Sequence, residues 1–269
     1  MNKKVTVIVA VHKEYRMPSD DMYLPLHVGA EGKNLELGYQ KDNTGDNISV
    51  KNPSFCEETG AYWLWKNNSA EYKGLVHYRR HFSMKPNSKD PFSAILSYAE
   101  LSRMIPKYSV FVPKKRKYYI ETLYSHYAHT HYASHLDETR KIIQKLYPDY
   151  VPSYDKVVNQ TYGYMFNMMI MRRDLYDAYN EWLFNILFEL ERRVDKQNQQ
   201  LSAFQGRFYG RVSEIIFNVW LDKQIQDGKV KQSEIKELPY IYMEKIDWKR
   251  KITSFLKAKF GHQKYEGSF

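Results

Sequence analysis

A chain of 269 residues with 43% hydrophobic and 27% charged content suits one medium domain or two small ones, and excludes a disordered, collagen-like or low-complexity polymer. Against 31 Asp and Glu stand 41 Lys and Arg, and the net charge of +10 favours anionic partners: nucleic acid, nucleotide phosphates or an acidic membrane surface. A single cysteine, Cys56, excludes an internal disulfide and a Cys-rich zinc site. No apolar run approaches the about 18–20 residues of a membrane span or the core of a signal peptide, so the expected location is the cytoplasm.

The first element is Val5–Val11, VTVIVAV, β-branched and apolar on both faces, which predicts a buried strand of a parallel sheet. His12 to Ser49 is rich in Gly, Asn, Asp and Pro and reads as long loops. Asn52-Pro53 or Ser54 with Glu57 opens a helix, FCEETGAYWLWKN. Tyr72 to Arg80 is a second strand running into a basic, aromatic end, and strand–helix–strand in that order predicts a parallel α/β unit. Ala94–Ile105 reads as a short helix and Tyr108–Pro113 as a third strand. Leu136–Tyr147 is an amphipathic helix, and Met165–Met171 a fourth strand. Asp174–Val194 and Ser213–Gln224 are further helices, and Glu237–Met243 a last strand. The one sub-boundary falls after Glu244. Beyond it Ile252, Phe255, Leu256 and Phe260 stand at helical spacing among Lys and Arg, a basic amphipathic tail that suits either an anionic lipid surface or the protein's own core.

Several clusters could carry chemistry. Ligands of open α/β sheets bind beyond the carboxyl ends of the strands, where His77-Tyr78-Arg79-Arg80 falls. Guanidinium groups hold diphosphates by paired hydrogen bonds at any working pH, although neighbouring residues on a strand face opposite ways. Asp46 and Asn47, in a Gly-containing turn, suit ribose hydroxyls or a base edge, or are a plain surface turn. Lys114, Lys115 and Arg116 follow a strand and are candidate phosphate ligands beside tyrosines. His126, His129 and His131 cannot share one helical face; they suit a hydrogen-bonding pocket better than a metal, for which Glu121 is the nearest carboxylate. Glu214 opens the Ser213–Gln224 helix, either as a first-turn carboxylate on the helix dipole or as a general base.

Segments including VAVHKEYRMP, LGYQKDNTGDNIS, NPSFCEETGAYWLWKN, GLVHYRRHF, VPKKRKYYIETLYSHYAHTH, GYMFNMMIMRR and YMEKIDW together resemble a domain-of-unknown-function family. Its members are bacterial capsular and exopolysaccharide biosynthesis proteins, grouped with galactofuranosyltransferase-like enzymes. The resemblance runs over about residues 4–260 and implies a GT-A-like, Rossmann-related fold with a mainly parallel sheet flanked by helices. It implies transfer of a hexose, such as galactofuranose, from a UDP-sugar donor to a growing glycan acceptor. GT-A enzymes usually carry an Asp-x-Asp that holds a divalent ion; this chain has none, and His77-Tyr78-Arg79 occupies that place. The expectation is therefore a metal-independent enzyme without a cofactor. His12 and a tyrosine face the uracil, Asp46 and Asn47 the ribose or base, and Arg79 and Arg80 the diphosphate. Glu214 is the first candidate base, with His77 and Glu121 behind it. Rival classes are a nucleic-acid binder, disfavoured because no helix-turn-helix, zinc or RNP pattern occurs, a metal-dependent hydrolase built on the histidines, and a non-catalytic scaffold at a membrane.

Overall fold

The computed structural model describes residues 4–198 and 201–244, with 247, 253–255, 257–259, 264 and 267 beyond them. The elements in order are β1 (Val5–Val11), β2 (Tyr23–His27), β3 (Gln40–Lys41), α1 (Asn52–Phe55), α2 (Glu58–Asn67), β4 (Tyr72–His77) and β5 (Arg80–Phe82). There follow α3 (Tyr98–Ser102), β6 (Val110–Pro113), β7 (Arg116–Lys117), α4 (Leu123–Thr130), α5 (Ser134–Leu146), α6 (Val151–Val158), β8 (Tyr162–Gly163) and β9 (Met169–Arg172). The last are α7 (Arg173–Asn198), α8 (Phe208–Gln226), β10 (Ile235–Leu238) and β11 (Tyr240–Tyr242).

One mixed sheet organises the fold, in the order β10-β6-β9-β4-β1-β2-β3, with β5 and β11 added beside the end of β4. β1 pairs parallel with both β2 and β4, and β10 with β6. Among the described residues, the antiparallel pairings of this sheet are β4 with β5 and β9, β6 with β9, and β5 with β11. Every residue of β1 is buried, as its unbroken apolar run requires of a strand covered on both faces. Its side chains alternate between two cores: Ile8 and Ala10 join the helices α2, α7 and α8, while Val5, Val7, Val9 and Val11 join Tyr23, Phe82, Leu96 and Leu101. Gly74 in β4 permits a close approach to β9, since a Cβ there would lie 2.7 Å from the Ile170 side chain and the Met169 carbonyl oxygen.

Four differences from the sequence reading bear on the site. The stretch after His12 is not all loop: β2 and β3 extend the sheet, because Pro25 faces a parallel neighbour without breaking the pairing of Leu24 and Leu26. The helix after Asn52 is two helices, broken at Cys56, whose φ is +55°. Met165–Met168 is not strand; Phe166 and Asn167 take φ of +80° and +51°, and β9 begins only at Met169. Lastly, α8 starts at Phe208 rather than Ser213. Ser213 does not cap; it is buried and donates to Tyr209 O at 2.8 Å, an intrahelical bond. Glu214 therefore sits in the second turn of α8, not at its N-terminus.

Candidate active site

A cleft of about 260 Å³ opens at the carboxyl end of β4. Its walls include Glu57, His77, Arg79, Arg80, Phe166, Arg207, Arg211, Glu214, Tyr242 and Glu244. The three backbone breaks build it. Cys56 turns the chain so that Glu57 faces the cleft, while Glu58, one residue on, is buried against α8 near Ser213, and burial keeps its carboxyl far above the usual range. Phe166 and Asn167 form the floor: Phe166 O meets His77 Nε2 at 2.8 Å, and Asn167 Nδ2 donates to Glu57 Oε1 and to Gly210 O, both at 2.8 Å. Left-handed backbone is costly for residues other than Gly, and such residues gather at functional sites, where the surroundings hold them.

Arg79 and Arg80 both reach this cleft. Neighbours on a strand would diverge, but His77 pairs antiparallel with Arg80, so Tyr78-Arg79 is the two-residue tip of a hairpin. Arg80 lies over the ring of Phe166 at 3.8 Å and that of Tyr242 at 4.7 Å, which fixes the guanidinium without neutralising it. From the opposite wall come Arg207, whose Nε donates to Cys56 Sγ at 3.1 Å, and Arg211, which donates to Phe204 O at 2.8 Å. Burial pushes the Cys56 thiol up to about 11, so at neutral pH it leaves the charge of Arg207 uncancelled. Among the described residues, no carboxylate lies within 4.0 Å of any of these four guanidinium groups. Four cations gathered at one cleft repel one another, and an anion there relieves that repulsion.

Of the three carboxyls on these walls, Glu57 and Glu214 have opposite tendencies. Burial, reinforced by the charge of Glu57, pushes Glu214 up to about 7, despite Arg80, Arg116 and the Phe166 N–H. Burial also opposes ionisation of Glu57, but His77, the Asn167 amide, its own backbone N–H and Arg207 outweigh it and hold Glu57 below the usual carboxylate range. His77 Nε2 lies 3.9 Å from Glu57 Oε1, and burial with Arg80 and Arg79 keeps the imidazole below its ordinary value. One carboxylate is thus set to stay ionised and the other to exchange a proton near neutrality, a division of labour that suits acid–base chemistry.

The remaining candidates are scattered. His12 is exposed and meets the buried Tyr78 ring edge to face at 5.4 Å; neither lines the cleft, although Tyr78 supports Arg79 at 5.4 Å. Asp46 and Asn47 stand elsewhere: the Asp46 N–H and side chain bond to Asn67 and Tyr62 toward the far end of α2, and Asn47 bonds to Gly45 and Ser49. The buried acid of that loop is Asp42, which accepts from the N–H groups of Gly29 and Ala30 at 2.8 and 3.0 Å. Lys114 is exposed. Lys115 lies in a separate groove, over Tyr162 and Tyr164, whereas Arg116 is close enough for its charge to act on Glu214. His126 and His129 Nδ1 both bond to Glu121, at 2.7 and 2.8 Å; Glu121 is thereby occupied rather than open to a substrate. His131 packs behind Arg211, with its Nδ1 2.9 Å from Gln205 Oε1 and 3.2 Å from Arg211. The histidines therefore do not converge, and among the described residues no group of three or more His, Cys, Asp or Glu is placed to hold a metal ion.

Glu57, Arg207, Arg211 and Tyr242 were not among the candidate site residues of the sequence; Glu57 figured there only as a capping residue. A signal existed for the arginines: Arg207 and Arg211 are four apart, the spacing of one helical face. Of the tail's apolar face, Ile252, Leu256 and Phe260 lie outside the described residues. Phe255 stacks near His126, with ring centroids 6.1 Å apart, and Lys259 Nζ is 3.6 Å from Glu121. Ala258 is 1% exposed, so this part of the tail packs on the protein itself. Among the described residues no helix is long and apolar enough to cross a membrane.

Comparison with known proteins agrees with the sheet and its layers. No curated protein matches the chain. A solved structure, the bifunctional glycosyltransferase WbbM in its apo form, is similar at a TM-score of 0.78 and 31% identity. The match covers 90% of this chain and 46% of that one, so this chain spans about half the length of WbbM. The fold is GT-A-like: mixed α/β, with a mainly parallel central sheet flanked by helices. Over residues 6–225 the sequence matches the family described as Domain of unknown function (DUF4422), and the chain belongs to that family.

Proposed function

We propose that the protein is a glycosyltransferase that moves a hexose from a UDP-sugar to a glycan acceptor, and that it does so without a divalent ion. The observation that carries this reading is the cleft itself, in which four guanidinium groups, none within 4.0 Å of a carboxylate among the described residues, share the walls with a split pair of carboxyls. The likeness to WbbM supports glycosyl transfer as the reaction class. Galactofuranose is the hexose that the family resemblance favours.

In this reading the diphosphate lies between Arg79 and Arg80 on one wall and Arg207 and Arg211 on the other. The acceptor hydroxyl oxygen attacks the anomeric carbon as the bond to the diphosphate oxygen breaks. The acceptor proton passes to Glu214, and the electron pair leaves on the diphosphate, where the four fixed cations stabilise the growing negative charge. Glu57, held ionised, lies near the oxocarbenium-like centre and favours its positive charge. Stabilisation of the leaving group is the task that a carboxylate-bound cation performs in other enzymes of this fold. Here the cations belong to the protein.

The test is turnover of UDP-hexoses, by transfer or by slow hydrolysis, with and without excess EDTA. The reading expects UDP release that EDTA leaves unchanged. Activity that vanishes in EDTA and returns with Mn²⁺ or Mg²⁺ removes the metal-independent part. No UDP-sugar turnover and no UDP binding removes the whole.

A further inference from the structure

Three of the four non-glycine residues with positive φ among the described residues build the cleft; the fourth, Tyr119, at φ +60°, does not. It lies between β7 and α4, where Tyr119 is 79% exposed and Ile120 71%. The Ile120 N–H donates to Tyr118 O at 2.7 Å, closing a turn of three residues. Both ends of that turn are anchored. The Tyr118 ring packs on His126 with centroids 4.3 Å apart, under the Arg116 guanidinium at 4.8 Å. Glu121 is 3% exposed and holds His126 and His129. Thr122 then caps α4 through Ser125. Strained backbone usually serves to bury or to position a group. Here it thrusts two bulky apolar side chains into water. Lys114, Lys115, Arg116 and Lys117 immediately precede them, and Lys114 and Lys117 are exposed.

We propose that this turn is a membrane-docking element: Tyr119 and Ile120 enter the boundary between headgroups and acyl chains of an anionic bilayer, and Lys114 and Lys117 meet the lipid phosphates. Apolar tips flanked by cations match both components of such a surface. A protein partner fits less well. A stable interface buries about 800 Å² on each side, far more than two side chains at the tip of a turn supply. The tail meets the fold at the root of the same turn, through Phe255 and Lys259. This inference is independent of the chemistry assigned to the cleft.

The experiment is co-sedimentation of the full chain with vesicles of pure phosphatidylcholine and of an equal mixture of phosphatidylglycerol and phosphatidylcholine. Binding is expected to the mixed vesicles alone. The double variant Y119S/I120S should partition at least about ten-fold more weakly, because each methylene withdrawn from the interface weakens binding severalfold. Val50 is 70% exposed elsewhere on the surface, and V50S should bind as the wild type does. All three proteins should share one melting temperature and one affinity for UDP, which separates loss of docking from loss of fold or of the cleft. Equal binding by Y119S/I120S and wild type overturns the proposal and leaves charge alone as the attraction. Absence of vesicle binding by the wild type overturns it as well, and so does a Tyr119-dependent complex with a protein in place of lipid.

Discussion

Replacing Glu214 by Gln should stop the chemistry and, above neutral pH, make the protein more stable. An unfolded glutamate ionises near 4.5, whereas in the cleft the proton leaves only near about 7. Between those values the folded state holds more protons than the unfolded chain, so stability falls as pH rises. Above the folded value the cost levels off. At about 1.4 kcal/mol per pH unit, the rise from 4.5 to about 7 is worth roughly 3–4 kcal/mol. Gln cannot ionise and escapes that cost, while its amide oxygen can still accept from the Phe166 N–H. Urea unfolding of both proteins at about pH 5 and about pH 8 measures the effect, and the advantage of Glu214→Gln should grow by roughly 2–3 kcal/mol between them. Titrating groups that do not interact with Glu214 cancel in the comparison, and Glu57 and Glu58, which do, modify its size. An advantage that stays constant with pH, or that shrinks as pH rises, would mean that Glu214 is not the group held protonated by the cleft.

Three other outcomes are expected. Arg80→Ala should weaken UDP binding by about 1.5–3 kcal/mol in calorimetry, the range for hydrogen bonds to charged groups; an unchanged affinity would place the diphosphate elsewhere. Turnover should rise with pH through about 7, because a general base works only when deprotonated; a rate that falls across that range would give Glu214 the opposite role. Gly74→Ala should destabilise the fold by about 1–3 kcal/mol, since its Cβ has no room beside Met169 O and Ile170. Equal unfolding midpoints would show that β4 and β9 can separate without loss.

The sheet was legible because β1 and β4 are short apolar runs with a helix between them, and periodicity reports burial on both faces directly. The site was legible only in part. His77, Arg79, Arg80 and Glu214 stand out because they lie just beyond a predicted strand or on a predicted helix. Arg207 and Arg211 lie ahead of the helix expected to start at Ser213, so neither was placed on an element. Yet α8 begins at Phe208 and runs through Gly210, where a Cβ would meet Cys56 Cβ at 3.5 Å, an ordinary contact. Glu57 was hidden by the strained residue before it, since a capping pattern cannot reveal that Cys56 turns left-handed and splits the helix. Asp46 and Asn47 show the converse. Their turn chemistry is plain in the sequence, but the loop is tied to Tyr62 and Asn67 rather than to the cleft. The histidines mislead for a similar reason: local density says nothing about Glu121, which claims His126 and His129, or Gln205, which claims His131.

The central claim is that arginines alone hold the leaving diphosphate, and a crystal structure with UDP bound addresses it most directly. Both phosphorus atoms should lie within hydrogen-bonding reach of Arg79 or Arg80 and of Arg207 or Arg211, with the acceptor side open to Glu214. Phosphates found outside the cleft, or bridged to a metal ion held by carboxylates, would contradict it.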